Sequence, residues 1–123
     1  MKFYIKKAAL EFILGVSRKT YPREFTALLR GGGDMIDEVL LIPGTMFGED
    51  FATIRMDMKP IDSTIIGSVH SHPSRSFRPS EADLNFFGKT GFIHLIVRYP
   101  YRSIADIAAY DMSGGRLELE ARD

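Results

Sequence analysis

An α/β domain, with one largely mixed sheet packed against helices, is the fold the sequence predicts. Two observations carry it: apolar residues recur at helical spacing in the first nineteen residues and after Ser80, whereas the runs between and beyond them are β-branched or alternate with period two. A helix, a hairpin, strands, a second helix and further strands, in that order, give this class. The length of 123 residues suits one domain spanning 1–123, and there is no internal repeat, linker or low-complexity stretch.

The N-terminal stretch MKFYIKKAALEFILGVSRK superficially resembles a secretion signal. Glu11 interrupts its apolar run, however, and no small-residue cleavage site follows. Ile5, Ala8, Ala9, Phe12, Ile13 and Val16 instead predict an amphipathic helix laid on a core. Pro22 ends it by disfavouring helical geometry at Tyr21. EFTALLR and DEVLLIP flank three glycines and predict a β-hairpin, with Glu24, Thr26 and Leu28 on one face and Phe25, Ala27 and Leu29 on the other. From Gly44 to Asp62 the pattern loosens, with a strand expected around Ala52 to Asp57. STIIGSVHSH reads as a central strand ended by Pro73, and SEADLNFFGK as a short helix opened by a near capping box of Ser80 and Asp83. FIHLIVRYP, SIADIAAYDM and GRLELEA each predict a strand, the last two joined by a Ser-Gly-Gly turn.

Composition excludes several chemistries. Sixteen basic and sixteen acidic residues cancel, so the chain shows no electrostatic footprint for nucleic acid or an anionic membrane. No apolar run approaches the roughly 20 residues that span a bilayer, and a cytoplasmic protein is expected. The absence of cysteine removes disulfides, thiolate metal sites and a cysteine nucleophile. It also removes the Pro-Cys-x-x-Cys pattern of zinc nucleobase deaminases. The glycine triplet lacks a following Gly-Lys-Ser/Thr and reads as a plain turn.

The stretch VHSHPSRSFRPSEAD, Val69 to Asp83, holds two of the three histidines. Side chains two apart on a strand share a face, so His70 and His72 can converge on one ion. Asp83, in the first turn of the next helix, has enough intervening chain to reach the same point. Two imidazoles and a carboxylate suit a tetrahedral zinc with its fourth position open, as in catalytic rather than structural sites. Simpler roles stand beside this one. An isolated His-x-His can be ordinary surface or core histidine, Ser80 is a preferred helix N-cap, and Asp83 favours the helix dipole. A cap and a ligand are compatible, because the cap fixes geometry the ligand needs. His94, inside FIHLIV, reads as a buried, hydrogen-bonded core residue.

HSHPSRSFRPSEAD has the form His-x-His-Pro-x6-Ser-x2-Asp, which closely resembles the signature of the JAMM metalloproteases, the catalytically competent branch of the Jab/MPN domains. EFTALLRGGGD lies where that family keeps its catalytic glutamate, and the resemblance covers nearly the whole chain. The size resembles the minimal prokaryotic and archaeal deubiquitinase-like members. The loop from Gly44 to Pro60 is short beside those of eukaryotic relatives. The resemblance implies a cytidine-deaminase-like MPN fold, a curved mixed sheet flanked by helices, and zinc-dependent peptide or isopeptide hydrolysis. Carried over, His70, His72 and Asp83 bind about one Zn2+ per chain, Glu24 acts as general base and acid, and Ser80 stabilises the oxyanion. The partners it implies are a ubiquitin-like modifier protein and its conjugates, cut after the C-terminal Gly-Gly, and a homodimer is compatible with this. The alternatives are a processing peptidase for a sulfur-carrier precursor and a non-enzymatic MPN interaction module. Phe47, Phe51, Met56 and Met58, between Thr45 and Lys59, are expected to form a flap against an extended Gly-Gly tail.

Overall fold

The computed structural model describes residues 1–41 and 63–123. Seven strands among these residues close into a barrel in the order β1-β3-β2-β4-β5-β6-β7. They are β1 (Lys2–Lys6), β2 (Thr26–Gly32), β3 (Met35–Leu40), β4 (Ile65–His72), β5 (Ile93–Arg98), β6 (Ile107–Tyr110) and β7 (Arg116–Arg122). Helix α1 (Lys7–Thr20) follows β1, and α2 (Glu81–Thr90) links β4 to β5. The sheet is mixed: β1 runs parallel to both β3 and β7, β4 runs parallel to β5, and the other pairs are antiparallel. No helix among the described residues is long and apolar enough to cross a membrane. The strand expected around Ala52 to Asp57 and the proposed flap lie outside the described residues.

The hairpin of β2 and β3 forms as the sequence predicts, turning at Gly33 with φ of 60°, a conformation glycine adopts without a Cβ clash. Phe25, Ala27 and Leu29 enter the main core with Ile13, Leu14, Ile36, Val69, Ile93 and Leu95. Thr26 and Leu28 on the opposite face are buried as well.

Two boundaries and one buried face differ from the sequence reading. Residues Lys2–Lys6 form a strand rather than the start of the helix. Phe3 and Ile5 alternate with Lys2, Tyr4 and Lys6, and pairing on both sides of β1 outweighs the helical spacing that Ile5 shares with Ala8 and Ala9. Within α1 the buried stripe is Ala9, Leu10, Ile13, Leu14 and Ser17, whereas Ala8 and Phe12 face solvent. The strand expected from Ser103 starts only at Ile107, after a 3-10 turn over Ile104–Asp106. That turn forms because Ser103 Oγ accepts from the Ala105 N–H and Asp106 accepts from the Arg102 N–H and Arg98 Nε.

Strand β4 is fully flanked, by β2 on one side and β5 on the other. Because β4 and β5 are parallel, α2 begins where β4 ends and returns along the sheet. The first turn of α2 is thereby brought to the C-terminal end of β4. Ligands in α/β sheets favour this end of the strands.

Candidate metal centre

His70 and His72 occupy the last turn-out of β4, with His70 wholly buried and the His72 side chain 15% exposed. Their Nε2 atoms lie 3.0 Å apart. Asp83 completes a triangle, with Oδ1 3.2 Å from His70 Nε2 and Oδ2 3.4 Å from His72 Nε2. Four ligands about 2.0–2.1 Å from a tetrahedral zinc stand about 3.3 Å from one another. The three measured separations match that edge length, so the donors fit the ion. The polar chemistry points the same way. The Nδ1 of His72 lies 2.9 Å from the Ser76 carbonyl, which can only accept, so Nδ1 carries the hydrogen. Its Nε2 lone pair is left facing Asp83 and His70, where it needs a proton or a cation.

Electrostatics shift the three donors in different directions. Burial pushes His70 below its ordinary value, although hydrogen bonding and proximity to Asp83 work against the shift. For His72, burial acts in the same downward direction, but the Asp83 and Ser76 hydrogen bonds outweigh it and the net shift is upward. Burial alone would raise Asp83. Hydrogen bonds from His70 and His72, their charge and the Ser80 N–H instead hold it well below the usual carboxylate range. An ionised Asp83 and a neutral His70 suit a metal, whereas a cation at His72 Nε2 would displace the proton that the upward shift favours.

Asp83 is also the third residue of α2. Its Oδ2 accepts from the Ser80 N–H at 2.8 Å while Ser80 Oγ accepts from the Asp83 N–H at 3.0 Å, a complete capping box. The capping and ligand readings of the sequence therefore coexist in one carboxylate. The exposed Ser80 hydroxyl spends a lone pair on the cap and keeps its hydrogen for another acceptor. Glu24 lies two residues before β2 and is exposed, not within the strand as the sequence suggests. The antiparallel register pairs Thr26 with His70 and is continued by the Ser71 N–H donating to Phe25 O at 2.8 Å. One step further brings Glu24 opposite His72, and its negative charge favours the protonated form of both histidines.

His94 is a core residue, as its surroundings in the sequence suggest. Its ring stacks on Phe87 at 4.4 Å, with Nδ1 2.8 Å from Ser68 Oγ and Nε2 3.0 Å from Gly91 O. Sequence reasoning missed two buried tyrosines that bind the ligand-bearing chain. Tyr101 donates to His72 O at 2.8 Å, and Tyr110 donates to Phe77 O at 2.7 Å. They lie 29 and 33 positions from their acceptors, and no local pattern marks them.

A closed mixed barrel with two imidazoles and a carboxylate at tetrahedral spacing defines a zinc hydrolase centre. The chain belongs to the prokaryotic homologs of the JAB domain, which it matches over residues 6–112. It is 41% identical to a "Probable metalloprotease" of Haloferax volcanii, over 94% of this chain and 76% of that protein. A solved structure reported as "JAMM: A Metalloprotease-like Zinc Site in the Proteasome and Signalosome" superposes with a TM-score of 0.78 and 34% identity, covering 100% of both chains. A Jab1/MPN domain protein from Archaeoglobus fulgidus does so with a TM-score of 0.76 and 35% identity, over 98% of this chain and 97% of that one. The expected fold is therefore correct, and with it the reading of a JAMM-type metallopeptidase that uses zinc.

Proposed function

We propose that the chain removes a ubiquitin-like modifier from its conjugates by hydrolysing the bond after the modifier's C-terminal Gly-Gly, acting in the cytoplasm. The reading extends the resemblance to JAMM isopeptidases, and one observation carries its substrate side. His70 and Asp83 side chains are 0% and 6% exposed and His72 only 15%, so the centre is recessed and His72 is its most exposed donor. A tail without side chains lets backbone approach such a recessed centre, and glycine provides it.

His70 Nε2, His72 Nε2 and a carboxylate oxygen of Asp83 would hold the ion. Bound there, zinc supplies a Lewis acid that polarises a carbonyl and lowers the pKa of water to about 7. Residues of the chain manage the protons and the charge. Glu24 takes a proton from the attacking water as the new C–O bond forms, then delivers it to the leaving nitrogen as the C–N bond breaks. One carboxylate serves both steps. The Ser80 hydroxyl donates to the carbonyl oxygen as it gains charge, so its effect belongs to the transition state.

The test compares lysine conjugates of one modifier ending in Gly-Gly or in Leu-Leu, beside a linear precursor, each with and without chelator. Chelator-sensitive cleavage of the Gly-Gly conjugate, at a kcat/KM at least about 100-fold above Leu-Leu, is expected, since a bulky pair loses the close approach on which orientation depends. Equal kcat/KM for the two tails would remove the narrow-channel reading. Cleavage of the precursor alone would replace deconjugation with precursor processing.

A further inference from the structure

We propose that Tyr101 is a positioning residue for the metal centre, holding the His72 main chain so that its imidazole stays at ligand distance from His70 and Asp83. Three independent observations converge on it. Tyr101 is the largest fully buried side chain of the described residues, 1% exposed, and its hydroxyl ends on the His72 carbonyl at 2.8 Å. Its φ is +59°, making it the only non-glycine residue among those described with a left-handed backbone. A bulky L side chain adopts that conformation only where the surroundings over-determine it, and such strain concentrates at functional sites. The surroundings are visible. The Tyr101 N–H donates to Arg98 O at 3.0 Å, and Arg18, from the last turn of α1, donates to the Tyr101 carbonyl. The ring is packed by Tyr21 and Tyr99, with centroids 6.2 and 5.9 Å away.

The direction of the bond explains its use. His72 is the last residue of β4, and just beyond it the Tyr99 N–H bonds Ser74 O at 2.9 Å rather than the His72 carbonyl. A phenol donor on the His72 carbonyl supplies a fixed partner where the sheet stops supplying one. Arg18 extends the chain of contacts, and the C-terminal end of α1 thereby becomes part of the support for a ligand on β4.

The experiment measures zinc affinity by competition with a chromophoric chelator, on the purified metal-free chain and the metal alone. It requires no substrate, so its failure leaves the Gly-Gly reading untouched and the failure of that reading leaves it standing. Tyr101→Phe deletes one oxygen and keeps the packing; zinc affinity should fall by roughly 10-fold, as for other outer partners of metal ligands. Tyr99→Phe is the control and should leave affinity within about 2-fold, well short of an outer-partner effect. Arg18→Met, which leaves the Tyr101 hydroxyl in place but frees its carbonyl, should give an intermediate loss and covers the case in which Tyr101→Phe does not fold. The Co2+-loaded Tyr101→Phe protein should also show weakened visible absorption from a distorted tetrahedral site. A Tyr101→Phe protein, or failing that an Arg18→Met protein, that melts at lower temperature yet binds zinc as tightly as the unaltered chain would overturn the proposal, leaving Tyr101 a structural residue only.

Discussion

The capping role of Ser80 seen in the structure and the oxyanion role proposed for it can be separated by substitution. Its Oγ accepts from the Asp83 N–H at 3.0 Å, while the reciprocal 2.8 Å bond to Asp83 Oδ2 is made by the Ser80 backbone. Only the first is lost in Ser80→Ala, so the ligand carboxylate stays tethered and zinc affinity should change little. Loss of an N-cap of this kind costs about 1 kcal/mol, whereas replacement by glycine costs only a few tenths. For a chain of 123 residues about 1 kcal/mol lowers the melting temperature by about 3–5 °C. Catalysis should follow the hydroxyl instead. Removing an oxyanion donor lowers kcat by roughly 100-fold or more, equivalent to about 2.7 kcal/mol. Ser80→Ala and Ser80→Gly should therefore lose activity equally while differing in stability, and Ser80→Thr should retain much of both. Thermal melts of metal-free protein and single-turnover cleavage of a zinc-loaded Gly-Gly conjugate give the two readouts. Unchanged kcat in the alanine variant would refute the oxyanion role, and equal melting temperatures for the unaltered, alanine and glycine proteins would refute the cap argument.

Glu24→Gln keeps shape but cannot accept a proton, so kcat should fall by roughly 100-fold or more while zinc content, read by elemental analysis, is unchanged. Retained turnover would mean that another group moves the proton. Gly67 pairs with Ile93 across the parallel β4–β5 ladder, and a Cβ there would lie 1.6 Å from the Ile93 carbonyl oxygen. Backbone cannot yield as a flexible side-chain tip can, so Gly67→Ala should cost about 3 kcal/mol or more in urea unfolding. An unaltered midpoint would show that the two strands sit further apart.

The centre was legible in sequence because its spacing is short and each step has one geometric meaning. Period two puts His70 and His72 on one face, and a capped helix start places Asp83 after a short return. The role expected of Glu24 rests on resemblance alone, since its place opposite His72 depends on the register between β2 and β4, which no local pattern encodes. The closure of the sheet was hidden for a related reason. Phe3 and Ile5 alternate as a strand should, but the short run merges into the apolar spacing of α1, and the deciding partners lie at the far end of the chain. Tyr101 and Tyr110 were invisible because a hydrogen bond from a distant phenol to a main-chain carbonyl imposes no sequence pattern on its acceptor.

The parallel pairing of β1 with β7 also has a bearing on how the chain is made. Lys2 is opposite Glu118 and Lys6 opposite Arg122, so β1 pairs with a strand made more than a hundred residues later. At about 5–20 residues per second, translation of the intervening chain takes on the order of ten seconds. During that interval β1 can find β3, its other parallel neighbour, but the ring stays open along one side. Phe3 and Ile5 therefore remain within reach of nascent-chain chaperones until β7 is made, and a ribosome stalled before it would hold an unclosed barrel rather than a small folded intermediate.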